Sequence, residues 1–575
     1  MRMGSVLSSA RGELLLVFLA VAFYVGRRAI LPKPLAGIPY NRDAAQNLFG
    51  DVPEMMSYVM RTKRIFCWLT SLTARHQSVI IQAFIKPGSL PWVVVTDPFE
   101  AQDILLRRKE FDRSGFFGEL IGGILPEQHI QFLSTDARFK NNRNLINHLM
   151  APTFISKVSA PEVYKSVCTL IRVWQAKCDV AKGRPFSAHH DITYAALDGI
   201  FASSFGLPEA ESITIRRLAA VLEWKPDLAS DIDQPVQFPD SKVPETFAAV
   251  LTLANSVTDT QLSPAPVFTS WVLRKLPYMR NAIAIKDNYI RNKVNESIAL
   301  IDADNDKPHS ALHSVLLRER EVASKEGRQP NYHKRGIYDE FFGFMMAGHD
   351  TSATTVAWGI KLLTDNPNIQ VKLRTALHAA FSQASQEKRA PTYPDIIKAH
   401  IPYLDAVVEE VLRHANTIAF VVRQALQDTT VLGCHIPKGT DVFLMANGAG
   451  YLEPNMDIPD KVRSPGARRS EGKVTGVWDD KDIGAFRPER WLKTDAISGV
   501  VTFDPTSGPQ LAFGLGPRGC FGKRLALQTL KMQFALIIWH FKLLPVPLHL
   551  SGYNAVQKFA REPTQCYVRL EDTLV

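Results

Sequence analysis

The sequence predicts one large, mainly α domain with small β-sheets, preceded by a short apolar anchor. Three observations predict it. From about residue 138 to 425 the apolar residues keep helical spacing, broken only by short turn-like segments. Strand-like runs, "SVIIQAFI" and "WVVVTD", precede that region, and further strand signals occur around 418–445. An apolar stretch, "LLLVFLAVAFYV" (Leu14–Val25), stands near the amino end.

Composition bounds the partners. The 575 residues are 46% hydrophobic and 22% charged, enough to bury a large core. The net charge of +10 suits an acidic partner protein or an anionic membrane surface. The basic residues are scattered rather than run together, which argues against nucleic acid. The cysteines, at 67, 168, 178, 434, 520 and 566, show no CxxC pair and no zinc-like spacing. They read as reduced thiols in a cytosol-facing body.

The elements follow in order. The strictly apolar run is shorter than the ~20 residues a span needs, but extending it back to Val6 reaches that length. Arg11 and Glu13 then lie near one end, where they snorkel. A cleaved signal peptide is the rival reading; Ala20 and Ala22 lie inside the run rather than after it, which favours an uncleaved anchor over residues 1–30. Arg27, Arg28 and Lys33 outnumber Arg2 and Arg11, placing the body, residues 31–575, on the cytosolic side. Pro32 and Pro34 stiffen the link. The two strand runs are joined by a turn around Pro87 and Gly88. Asp97 reads as an N-cap, with Pro98 at the first helical position. Asn295 forms an idle glycosylation sequon. The stretch 464–482, beginning "SPGARRSEGKVTG", reads as a surface loop.

One stretch carries chemistry: "FGLGPRGCFG", Phe513–Gly522. A cysteine thiolate is the reactive and metal-binding form. Glycines at 514, 516, 519 and 522 let the backbone turn tightly and approach a flat ligand. They also leave amide N–H groups free to point at the sulfur, which tunes an iron–thiolate. The amphipathic run "KRLALQTLKMQFALIIWHF" follows, so Cys520 stands just before a helix N-terminus, where negative charge is favoured. A pattern F-x-x-G-x-R-x-C-x-G arises by accident in a chain this long roughly once in ten thousand times. At Phe513, Gly516, Arg518, Cys520 and Gly522 the chain resembles the cytochrome P450 superfamily without a miss. The resemblance implies that Cys520 is the axial ligand of a haem b (iron protoporphyrin IX), that Arg518 pairs with a haem propionate and that Phe513 packs near the loop.

Other segments agree with it. "EEVLR" places Glu410 and Arg413 three apart on one helix face, and "FRPERW" follows; the resemblance implies that Glu410, Arg413 and Arg490 lock together behind the haem. Arg423 is implied as a propionate partner. "FFGFMMAGHDTSATTVAWGIKLL" is an apolar helix interrupted by polar residues, and unpaired buried polar groups cost ~1–3 kcal/mol each. Its Ala347 and Gly348 leave room for a ligand. Asp350 and Thr351 offer an acid and a hydroxyl for proton relay, and the segment resembles the family's oxygen-activating helix. One family feature is missing: "RFKNNRNLINHLMAPTF" has no tryptophan, Arg143 takes its place, Asn147 takes the arginine place, and Arg143 or His148 is left as the substitute propionate contact.

What the resemblance implies is a helical prism around a buried haem, the cytochrome P450 fold, acting as a monooxygenase on a lipophilic small molecule. O2 is the co-substrate, NADPH-cytochrome P450 reductase the electron donor, and the endoplasmic reticulum membrane the location. Specificity is expected in the stretch after residue 114, in 200–260, in 417–421 and near 552–556. The amino-terminal anchor and the region around "PERW" resemble fungal secondary-metabolism members (polyketide, terpenoid or alkaloid). Alternatives are a fatty-acid or xenobiotic hydroxylase, an oxygen-independent haem-thiolate isomerase or dehydratase, and a haem sensor. The Asp350–Thr351 pair argues against the last two.

Overall fold

Segments from opposite ends of the chain meet in one five-stranded sheet. The computed structural model describes residues 18, 21, 24–303, 307–468 and 475–573. The sheet contains β1 (Ile80–Ala83), β2 (Trp92–Val95), β3 (Phe111–Arg113), β4 (Phe420–Ala425) and β5 (Asp441–Met445), in the order β1-β2-β5-β4-β3. β1 and β2 are the two runs read from sequence, paired antiparallel with Ile81 opposite Val94. β2 runs parallel to β5, with Val94 opposite Phe443. Their side chains are buried on both faces, as the continuous apolar runs require. At the far edge β3 pairs antiparallel with β4, which sets Arg113 directly opposite Arg423.

The rest is mainly helical. α1 (Pro98–Leu106) starts as read: Asp97 caps it by accepting the Glu100 amide at 2.8 Å, and Pro98 occupies the first turn. α2 (Ala137–Ile146), α3 (Ala160–Ala181), α4 (His189–Phe205) and α5 (Glu245–Gln261) follow, then the short, outward-facing α6 (Pro266–Leu273). α7 (Arg335–Asp365) has 31 residues and is therefore about 46 Å long. α4 packs on α3 and α7 and is buried through most of its length. Phe201 of α4 stacks on Phe247 of α5 with centroids 4.2 Å apart. α8 (Pro402–Ala415) ends at Asn416, whose φ of +44° turns the chain out of the helix toward β4. α9 (Lys523–His540) follows the cysteine loop and packs against α3, α7 and α8.

Four smaller sheets accompany the five-stranded one among the described residues. Phe541–Leu544 and Phe186–Ser187 flank Tyr567–Asp572. β6 (Ala555–Gln557) and β7 (Arg561–Pro563) form a hairpin with Gln557 opposite Arg561. It is tied to α7: the Trp358 indole donates to the Arg561 carbonyl at 2.8 Å, and the Arg561 guanidinium lies 4.4 Å over the Trp358 ring.

The 464–482 stretch holds only short turns among its described residues, but it is not wholly surface. Trp478 is buried against Trp491 with the Arg413 and Arg490 guanidiniums over its ring, because so large an apolar ring gains from leaving water. Asn295 is exposed on the helix Pro277–Asp302. The apolar run at 14–25 lies largely outside the described residues. Among the described residues, no helix is long and apolar enough to cross a membrane.

Candidate functional site

The cysteine loop is fixed by backbone. The Cys520 amide donates to the Phe513 carbonyl at 2.7 Å, and the Gly519 amide to Gly516 at 2.9 Å. Gly516 sits at φ +69°, and a Cβ there would stand 2.1 Å from the Leu105 carbonyl oxygen, so the loop lies directly on the end of α1. At Gly522 a Cβ would meet nothing within 4 Å; its contribution is its amide, which points at the Cys520 sulfur. The Cys520 side chain is accessible where it lines a cavity, with protein packed closely around the rest of it. Burial pushes it up, while the Gly522 and Lys523 amides and the charges of Arg143 and Lys523 favour the thiolate. The Phe513 ring lines the same cavity, with the Lys523 ammonium 5.7 Å over it.

Three arginines converge beside this loop. Arg518 donates from Nε to Asp112 at 3.1 Å and to Ser134 Oγ at 2.8 Å, from Nη2 to the Phe132 carbonyl, and its guanidinium lies 4.0 Å over Phe139. Arg423 donates to the Val422 carbonyl at 2.9 Å. Arg113, its partner across the β3–β4 pairing, was not legible from sequence. Nε of Arg113, Nη2 of Arg423 and Nη1 of Arg518 are buried without a hydrogen-bond partner. Burial and mutual repulsion push Arg113 down to about 9 and Arg423 to about 10. Burial alone would raise Asp112, but the Ser134 amide and hydroxyl and the Arg518 charge hold it below its ordinary value. Among the described residues Asp112 is the only carboxylate hydrogen-bonded to any of the three. Such a cluster lacks negative charge, and its orphaned N–H groups fit a flat ligand carrying two carboxylates.

Arg143 also reaches the cavity, 4.7 Å over the Phe521 ring. Burial lowers it below the usual guanidinium range. His148, the other substitute, turns away to Ser314 Oγ at 2.8 Å.

On the opposite wall runs α7. Gly348 lets it approach α4; a Cβ there would stand 2.8 Å from Ile200 Cδ1. Thr351 lines the cavity, and its hydroxyl donates to the Ala347 carbonyl at 2.8 Å. Asp350 is not in that wall. Its carboxyl faces the β6–β7 hairpin, where it meets the Glu562 carboxyl and the Ala560 amide. The two residues read from sequence as a pair therefore point to different neighbours, as adjacent positions ~100° apart on a helix must.

Glu410, Arg413 and Arg490 do come together. Arg413 forks onto Glu410 at 2.9 and 2.8 Å and donates to the carbonyls of Tyr451 and Ile483, each at 2.7 Å. Arg490 reaches Glu410 at 3.1 Å, and the Trp491 indole donates to it at 2.9 Å. Burial alone would raise the Glu410 carboxyl; bonds and charge from Arg413 and His414 hold it far below the carboxylate range.

The cavity measures about 380 Å³, within the range of small-molecule sites. Phe117, Leu120, Ile121, Ile200, Val257 and Ile418 give it an apolar wall, drawn from three of the four stretches expected to set specificity. Beside the fourth, Gln557 and Phe559, just past 552–556, reach it, whereas Ala555 packs away from it against Trp358 and Ala415. Phe66, on the helix Ile65–Arg75, is a lining residue that no motif marks.

A family model, "Cytochrome P450", matches residues 70–453 and 481–554. The chain is 36% identical to cytochrome P450 monooxygenase TRI13 of Fusarium sporotrichioides, over 96% of this chain and 98% of that protein. It is also 36% identical to the Hps1-dma1 cluster cytochrome P450 monooxygenase cyp3.1 of Dothistroma septosporum, over 50% of this chain and 96% of that one. A crystal structure of the cytochrome P450DA heme domain superposes with TM-score 0.65 at 15% identity, over 94% of this chain and 98% of the other. That likeness concerns the fold.

Proposed function

The chain belongs to the cytochrome P450 family of haem b monooxygenases, and from that premise we propose that Cys520 would hold the haem iron in an enzyme inserting one oxygen atom into a lipophilic small molecule. The observation that carries this reading is the cavity-lining Cys520 thiol beside three arginines that each bury an unpaired N–H group. Arg113, Arg423 and Arg518 would hold the two propionates, with Arg143 adding charge over the loop. Bound there, the haem supplies oxygen binding and O–O cleavage favoured by the thiolate. The protein's own tasks are different. The Gly522 and Lys523 amides stabilise the sulfur's charge. The apolar wall excludes water and orients the substrate. Thr351 presents a hydroxyl at the cavity surface, and Asp350 supplies protons from behind it. Glu410, Arg413 and Arg490 keep the loop's backing rigid.

The net reaction takes substrate, O2, two electrons and two protons to hydroxylated product and water. The electrons come from NADPH-cytochrome P450 reductase, whose acidic docking face suits a chain of net charge +10. Residues 1–30 would anchor residues 31–575 to the endoplasmic reticulum membrane. Exposed apolar side chains support a lipid-facing side: Val267, Phe268 and Trp271 on α6. Fungal relatives, one named for a gene cluster, support a secondary metabolite as substrate.

The test is a reduced, carbon-monoxide-bound spectrum of the full chain, wild type against Cys520→Ala, with oxygen and NADPH consumption over a panel of lipophilic metabolites. The wild type is expected to give the thiolate-type spectrum and Cys520→Ala to lose it. Retention of that spectrum in the variant would overturn the ligand assignment.

A further inference from the structure

We propose that Glu562, on the C-terminal hairpin, is a positioning residue for oxygen activation: it and Asp350 hold one proton between them, and Lys558 connects the pair to solvent. This rests on reading Asp350 as the acid of the distal helix. Asp350 leaves the cavity wall to Thr351 and turns its carboxyl to the hairpin, within hydrogen-bond reach of the Glu562 carboxyl. Two carboxylates at that separation cannot both ionise comfortably, so one proton is retained. Glu562 does not drift from this place. Its neighbour Arg561 donates from its amide to the Thr417 carbonyl at 2.8 Å and from Nη1 to the Ala415 carbonyl at 2.8 Å, and it accepts from Trp358. On the outer side Lys558 Nζ lies 2.7 Å from Glu562, with 41% of its side chain exposed against 9% for Glu562. The chain of groups therefore runs from water, through Lys558 and Glu562, to Asp350 on the same helix as Thr351.

The other titratable groups near the pair are few. His349 on α7 bonds the Met345 carbonyl at 2.8 Å and is held neutral by burial. His189, at the start of α4, senses both Glu562 and Lys558, and burial lowers it too. Burial first, then the Glu562 charge, pushes Asp350 up to about 7, while Lys558 and the Ala560 amide pull the other way. Near neutral pH Asp350 is then about half protonated, so it can both give and take a proton there. When Asp350 passes its proton toward the cavity the pair is left with none; Glu562 takes one from water beside Lys558 and hands it on to Asp350, and no electrons move within the pair.

The experiment is an infrared pH titration of the resting, full-length holoenzyme, reading the carbonyl stretch of a protonated carboxyl. Wild type is expected to show a band with a midpoint of about 7, absent in Asp350→Asn. Glu562→Gln should lower that midpoint by roughly one unit or more. Lys558→Met, at a half-exposed site that folding tolerates, should raise it. In turnover, the pH above which oxygen is wasted as peroxide should move with the band in each variant. A midpoint unmoved in Glu562→Gln, or unmoved or lowered in Lys558→Met, would overturn the proposal. Because the band is read without turnover, a shifting band in a protein that never oxygenates a substrate would instead sink the monooxygenase reading of this site.

Discussion

Arg113 shows how a single side chain reports on a ligand. It is buried among arginines, opposite Arg423 and near Arg518, and burial and repulsion together make its charge costly. Left alone, such a cluster would be destabilising; an anion of two carboxylates relieves it. A charge-assisted hydrogen bond contributes about 1.5–3 kcal/mol. Arg113→Met should therefore loosen haem roughly ten- to hundredfold, read as the rate of transfer to excess apomyoglobin, while Arg113→Lys should recover part of it. The carbon-monoxide spectrum of the remaining holoprotein should keep its thiolate form, since Cys520 is untouched. Equal haem loss from wild type and Arg113→Met would place the propionates elsewhere. The same residue marks a limit of sequence reading. Arg518 and Arg423 stand inside recognisable patterns, but Arg113 acquires meaning only through the β3–β4 register, a pairing between segments that no local spacing encodes.

At the scale of elements, the Glu410 network couples α8 to the turn at Pro488–Trp491 and to the loop carrying Asp482. Arg490 bonds Glu410 at 3.1 Å and the Asp482 carbonyl at 2.8 Å, so one guanidinium joins three pieces of chain. The folded carboxyl titrates far below its unfolded value of 4.5. A depressed carboxylate adds stability that is fully present above the unfolded pKa and is lost as pH falls below it. Wild type should thus lose stability steeply from about pH 4.5 downward. Glu410→Gln should be less stable by about 3–5 kcal/mol near neutrality, because it strands Arg413 and Arg490. Its stability should also fall less between pH 5 and 3. Urea melts of both proteins across that range measure both effects, and parallel curves would mean that the network carries no acid-sensitive stability. The i, i+3 pairing of Glu410 and Arg413 was visible in sequence, since helix geometry alone puts them on one face. The added indole of Trp491 and the carbonyl acceptors of Tyr451 and Ile483 were not, because they come from tertiary packing.

For the molecule as a whole, helical periodicity and two strand runs were enough to read a mainly helical body with minor strands, since each is a local consequence of backbone period; the prism around a haem came from the resemblance carried by the cysteine loop. What escaped was relative orientation: Asp350 turning from the cavity to a hairpin over 200 residues later, Gln557 and Phe559 lining it in place of 552–556, and Trp478 burying a stretch read as surface. Orientation also bears on how the body meets a lipid surface. α6 carries Val267, Phe268 and Trp271 more than half exposed, with Arg274 and Lys275 immediately after it. Apolar side chains followed by cations suit an acyl boundary beneath anionic headgroups. If residues 1–30 were the only tether, deleting them would release the body completely. Given α6, deletion should leave a sizeable fraction on sedimented vesicles containing phosphatidylserine. That fraction should fall with salt and with Phe268→Ser/Trp271→Ser, while the carbon-monoxide spectrum stays unchanged. Full release by the deletion alone would show that α6 faces water, and equal binding with and without the two substitutions would move the contact to another face.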